Sequence, residues 1–149
     1  MKISIGFDHG ALPLRQALLE HLQSGGHEII DHGTDSPASV DYPDFSREVC
    51  KDVTEQRAEI GILCCTTGIG MSMSANKFKG IRAALVQHED EAALTRRHNN
   101  ANVICFGALH TTPYEACRLV DCFIENAFEG GRHERRVAKF MELEEESCS

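Results

Sequence analysis

The sequence is short of positive charge. Fifteen lysines and arginines face 23 aspartates and glutamates, giving a formal net charge of −8. That balance excludes the basic surface on which a nucleic-acid binder depends. No apolar run approaches the ~18 residues that a membrane span needs. The first residues, Met1-Lys2-Ile3-Ser4-Ile5-Gly6-Phe7-Asp8, carry neither a long apolar core nor a small-residue cleavage site, so they read as a strand rather than a signal peptide and the expected compartment is the cytosol. The seven cysteines form no C-x-x-C pair and no framework of disulfide spacing, and a cytosol would keep them reduced. An H-E-x-x-H motif is also missing, because His133-Glu134 is followed by Arg135-Arg136-Val137. No local motif supports a zinc site, so no metal is assigned. No internal repeat or low-complexity linker divides the 149 residues, and a single domain over 1–149 is expected.

What is present is an alternation. Strands are expected over Lys2 to Phe7, His27 to Asp31, Ala58 to Cys65, Ile81 to Val86 and Asn102 to Phe106. Helices are expected between them: one carrying Leu12, Leu14, Leu18, Leu19 and Leu22 and stopped by Gly25-Gly26, one from about Phe45 to Arg57, one over Ser72 to Phe78 and one over Glu89 to His98. Pro113 to Phe128 reads as the longest helix, and Arg132 to about Glu144 as the last, with a frayed acidic tail from 142 to 149. Five alternations of this kind predict an α/β fold: a Rossmann-like three-layer sandwich around a five-stranded parallel sheet. Such a sheet binds ligands beyond the carboxyl ends of its strands, which directs attention to Asp8-His9, Cys65 to Gly70, His88 and Gly107.

The stretch Ile60-Gly61-Ile62-Leu63-Cys64-Cys65-Thr66-Thr67-Gly68-Ile69-Gly70-Met71-Ser72 stands out. A buried strand runs through two thiols into a glycine-rich turn and a helix, and the free N–H groups of such a turn favour an anion. Gly68-x-Gly70 is only part of a dinucleotide fingerprint, because Met73 holds the third glycine's place and the turn follows the third strand. A cysteine-phosphatase loop is excluded by Met71 and Gly70 where the arginine belongs. Cys64 and Cys65 could be no more than small buried residues. Alternation sends them to opposite faces, so at most one reaches a pocket, and Cys65 adjoins the loop. His98 either satisfies the last carbonyls of its helix or shuttles protons. Arg132 and Arg136, four apart, share a helical face at a helix start, where the dipole disfavours cations. They form either a solvated basic face or a phosphate grip.

Six segments in order give the chain its resemblance: Gly6-Phe7-Asp8-His9-Gly10, Asp41-Tyr42-Pro43, Cys65-Thr66-Thr67-Gly68-Ile69-Gly70, Ala75 to Ala83, Arg97-His98-Asn99-Asn100-Ala101-Asn102-Val103, and Gly130-Gly131-Arg132-His133. Together they resemble the ribose-5-phosphate isomerase B / galactose-6-phosphate isomerase family over nearly the whole chain. The resemblance implies a Rossmann-like fold and interconversion of aldose and ketose phosphates without metal or cofactor. It implies that Cys65 moves a proton between C1 and C2, assisted by Thr67, and that His98 opens the sugar ring with help from Asp41. The backbone N–H groups of Thr66, Thr67, Gly68, Ile69 and Gly70 would hold the enediolate oxygen. His9, Arg132 and Arg136 would bind phosphate, and Asp8, Tyr42 and Asn99 the sugar hydroxyls. It also implies a homodimer, or a dimer of dimers, with sites at the interface. Two departures bear on the substrate: Thr66 stands where the family has glycine, and Leu109 and His110 stand where many members carry an arginine. Ribose 5-phosphate leads, with allose, galactose or tetrose phosphates as alternatives, and a non-catalytic sugar-phosphate-binding protein as the reading from another class.

Overall fold

A computed structural model describes residues 1–147. Five parallel strands, β1 (Lys2–Phe7), β2 (Glu28–Asp31), β3 (Ile60–Cys65), β4 (Ala83–Leu85) and β5 (Val103–Gly107), form one sheet in the order β2-β1-β3-β5-β4. Six helices connect and cover them: α1 (Leu12–Ser24), α2 (Tyr42–Thr54), α3 (Ile69–Ala75), α4 (Glu89–Asn99), α5 (Pro113–Ile124) and α6 (Arg132–Ser147). This is the expected three-layer α/β arrangement.

The central strands are apolar throughout because both of their faces are covered. Side-chain alternation divides the interior in two. Ile62, Cys64, Ile104 and Phe106 face α1 and α5, packing with Leu14, Leu18, Val120 and Phe123. Leu63, Cys65, Val103 and Cys105 face α2 and α3, packing with Val49, Cys50, Met71 and Ala75. The two adjacent cysteines therefore lie in different layers, as their spacing predicts. Burial pushes the Cys50 thiol up to about 12. It also holds Cys64 and Cys105 well above the ordinary thiol range, with neighbouring thiols adding to the effect. The six cysteines among the described residues are free thiols.

Several boundaries differ from the sequence reading. Helix α3 begins at Ile69, not Ser72, because Gly68 alone makes the turn, with φ +81°. Helix α2 begins at Tyr42, not Phe45, since Pro43 is tolerated in a first turn, and it ends at Thr54 instead of reaching Arg57. Helix α5 ends at Ile124, so the longest helix is α6, with 16 residues. The acidic segment 142–147 is helical, and both carboxylate oxygens of Glu144 accept from the Gly80 N–H at 3.1 Å. The remainder of the expected frayed tail, Cys148 and Ser149, lies outside the described residues. No helix among the described residues is long and apolar enough to cross a membrane.

Candidate active site

From β1 the chain passes first to β2 on one side and later to β3 on the other, so the crevice between the carboxyl ends of β1 and β3 is the switch point of the sheet. Asp8 and Cys65 stand there. The Asp8 N–H donates to the Cys64 carbonyl at 3.2 Å, continuing the ladder. The nearly buried Asp8 carboxylate then turns back to accept from the Gly10 N–H at 2.9 Å, capping the short 3₁₀ turn His9–Ala11. His9 Nδ1 accepts from the Val40 N–H at 3.2 Å, which draws the 33–41 loop, and with it Asp41 and Tyr42, to this end of the sheet.

Beyond β3 the loop is pinned by close approaches. The Gly68 N–H donates to Cys65 Sγ at 3.0 Å, and the Ile69 N–H to Thr67 Oγ1 at 3.2 Å. Two of the five expected anion donors are thus already directed at the two groups expected to move the proton. A Cβ on Gly68 would lie 2.8 Å from the Phe106 backbone, one on Gly70 2.5 Å from the Tyr42 ring, and one on Gly10 2.1 Å from Thr66 Oγ1. These positions need glycine because chain, ring and hydroxyl come that close. The Ala108 and Leu109 N–H groups donate to the Cys65 and Thr66 carbonyls at 3.1 and 2.9 Å. The segment that departs from the family pattern therefore lies beside Thr66.

Asp8, His9, Asp41, Tyr42, Cys65, Thr66, Thr67, Gly68, Ile69 and Gly70 form one group. His98, Asn99, Arg132 and Arg136 form another. Helix α4 ends at Asn99 and leads into the amino end of β5, where Val103 pairs with Gly61; Cys65 pairs with Gly107, four residues along. At about 3.3 Å per residue, some 13 Å of strand separates the two levels. Within one chain His98 and the Cys65 thiol lie at opposite ends of the sheet.

The second group contains partners that reasoning from sequence missed. His98 stacks on His133, with ring centroids 4.1 Å apart and planes inclined by 11°. Glu129 lies beside both rings and is held by Arg97 Nε at 2.5 Å. That arginine keeps the Glu129 carboxyl below its ordinary range. Burial, then the charges of His98 and Arg132, push His133 below the ordinary imidazole range, with Glu129 opposing. The i,i+4 spacing of Glu129 and His133 was a signal available in the sequence, but the stack on His98 joins segments 35 residues apart and was not.

A thiol at the switch point of a parallel α/β sheet, accepting the Gly68 N–H beside a glycine-rich turn, suits one class of protein: an enzyme acting on a small anionic substrate. The chain matches the family model described as Ribose/Galactose Isomerase over residues 3–140. It is 43% identical to the probable ribose-5-phosphate isomerase B of Mycoplasma genitalium over 97% of both chains, and 39% identical to the ribose-5-phosphate isomerase B of Escherichia coli over 97% of both. The structure of Clostridium thermocellum ribose-5-phosphate isomerase B superposes with a TM-score of 0.96 at 41% identity, covering 99% of each chain. The Mycoplasma genitalium enzyme with bound ribulose-5-phosphate gives 0.92 at 43% identity, covering 97% of each. The chain belongs to the ribose/galactose isomerase family, and it is a sugar-phosphate isomerase.

Proposed function

We propose that this protein interconverts ribose 5-phosphate and ribulose 5-phosphate through a cis-enediolate, with Cys65 as the base. The observation that carries the reading is the sulfur of Cys65 at the switch point, accepting the Gly68 N–H at 3.0 Å beside Thr67. Cys64 and Cys105 are poor alternatives, because burial holds their protons on. The substrate is supported by relatives of that name along nearly the whole chain and by the ketose seen in the Mycoplasma genitalium enzyme.

In the forward direction the ring opens first, by His98 and Asp41. The Cys65 thiolate then removes the C2 proton of the open aldose. The electron pair passes into the C1–C2 bond, and the carbonyl oxygen O1 takes the negative charge, facing the loop N–H groups. Thr67 assists the transfer of hydrogen between O2 and O1, and the Cys65 proton returns to C1. His9, Arg132 and Arg136 hold the phosphate, and Asp8, Tyr42 and Asn99 the hydroxyls. A base, an acid and oxyanion donors suffice for this chemistry, so the reading assigns no cofactor.

Because the thiol half and the histidine–arginine half stand at opposite ends of one sheet, a complete site needs two chains, each contributing one half. Ile69, Met73 and Leu109, exposed at 50, 65 and 63%, rim the Cys65 loop and give a partner an apolar surface to cover. The same chemistry on another sugar phosphate is favoured by one observation, the Thr66 side chain lying over Gly10 where a glycine would leave space.

A metal-free isomerase assay on ribose 5-phosphate, allose 6-phosphate, galactose 6-phosphate and a tetrose phosphate tests the proposal. Expected are preferential turnover of ribose 5-phosphate and its loss in Cys65→Ala. Turnover confined to another sugar would move the substrate and keep the mechanism. A Cys65→Ala enzyme near wild-type rate would overturn the base.

A further inference from the structure

The stacked pair His98 and His133 has a structure that phosphate binding does not require. Oε2 of Glu129 lies 3.7 Å from His98 Nε2 and 3.8 Å from His133 Nε2. Oε1 of the same carboxylate accepts from Arg97 Nε at 2.5 Å, and the Glu129 N–H donates to the Arg97 carbonyl at 3.0 Å. Glu129 is therefore clamped, through side chain and backbone, to the last turn of α4, the turn that carries His98. The His133 side chain is 11% exposed and that of His98 33%, so an inner ring backs an outer one. Two histidines and a glutamate could also suggest a cation site. However, near-parallel rings direct their in-plane lone pairs side by side instead of toward one point, and Arg97, Arg132 and Arg136 surround the group with positive charge.

We propose that His133 and Glu129 are positioning residues that present the His98 imidazolium to the ring oxygen of the cyclic sugar phosphate. This rests on the reading of His98 as the ring-opening residue. In that step the ring oxygen takes a proton from His98 and the C1–O4 bond breaks, its electron pair passing to O4. The O1 proton goes to Asp41 as the C1 carbonyl forms. Glu129 balances the charge of His98 before the transfer. Two stacked imidazoles do not readily carry two charges. Burial and the charge of His98 lower the tendency of the inner ring to take up a proton, and the outer ring is the more exposed of the two, where the substrate meets it.

The test separates ring opening from enolisation. Ribulose 5-phosphate is acyclic, because its phosphate occupies the one hydroxyl that could close a five-membered ring on the carbonyl. Ribose 5-phosphate is a furanose. Deuterium wash-in from solvent at C1 of ribulose 5-phosphate therefore needs Cys65 but no ring opening. In the full-length protein, His133→Ala and Glu129→Gln are expected to lower kcat for ribose 5-phosphate about tenfold, part of the factor that a general acid supplies. Wash-in should stay within about twofold of wild type. His133→Phe, which restores a stacking ring, should recover part of the loss. Equal losses in both assays would make His133 a purely structural residue and overturn the proposal, as would no loss in either. His98→Ala must show the same split. If it slows both reactions equally, His98 is not the ring-opening residue and the proposal fails with that reading. Cys65→Ala, expected to abolish both, reports on the base alone.

Discussion

Gly107 shows how closely single residues fix the loop after Cys65. It ends β5 opposite Cys65, and a Cβ there would lie 2.3 Å from the Thr67 carbonyl carbon and 2.4 Å from the Thr66 oxygen. Both are backbone atoms, which cannot rotate away as a side chain could. Gly107→Ala must displace the Thr66–Thr67 segment or bend the end of the strand. Overpacking of this kind costs about 1–3 kcal/mol. We expect that loss of stability in thermal or denaturant unfolding, together with at least a tenfold fall in kcat as Thr67 moves relative to Cys65. A stable, fully active Gly107→Ala enzyme would show that the loop tolerates displacement. That Cys64 and Cys65 face different layers was legible in the sequence, because strand alternation depends on local order alone. The demands on Gly107 and the pairing of His133 with His98 were not, since each arises where segments distant in the chain meet.

At the scale of elements, the glycine-rich turn was read as longer than it is. Glycine is a poor helix former, so Gly70 reads as loop; in the structure Gly68 completes the turn and Gly70 lies inside α3, where its missing side chain admits the Tyr42 ring. Helix α2 positions that ring, and its far end is anchored by Asp52. The Asp52 carboxylate accepts from Ser4 Oγ on β1 at 2.7 Å, from His32 Nε2 just after β2 at 2.6 Å, and from Arg57 Nε at 2.7 Å. Burial alone would raise this carboxyl. The hydrogen bonds from His32, Ser4 and Arg57 and the charge of His32 outweigh it and hold the group below the ordinary range. A carboxyl so depressed stabilises the fold fully above the unfolded value of about 3.9, and the contribution is lost as pH falls through the folded value. Asp52→Ala should therefore cost about 2–3 kcal/mol at pH 7, toward the lower end for a broken buried pair because Arg57 can return to water. The difference from wild type should shrink at pH 3, as read by denaturant unfolding at both pH values. An undiminished difference at pH 3 would mean that Asp52 acts through packing and not through its charge.

At the scale of the molecule, the succession of strands and helices and the three layers followed from alternation and apolar patterning, which is why the fold class could be read directly. The site could be read only as a set of residues. The motifs place His98 just before β5 and Cys65 at the end of β3, but how far apart the two stand on the sheet depends on parallel register between strands 38 residues apart. That register underlies a prediction about assembly. If each site joins the Cys65 half of one chain to the Arg132–Arg136 half of another, a Cys65→Ala variant and an Arg132→Ala, Arg136→Ala double variant are each inactive in every site. In a mixed two-fold dimer one site collects both lesions and the other is intact. Random reassortment makes half of all dimers mixed, each with one whole site of two, so activity should return to about a quarter of wild type after co-refolding or co-expression. If the two halves instead served one site within a single chain, every mixed dimer would still have a lesion in each site. Mixing would then restore nothing beyond the sum of the two parents, and the shared-site reading would be lost while the cysteine chemistry stood.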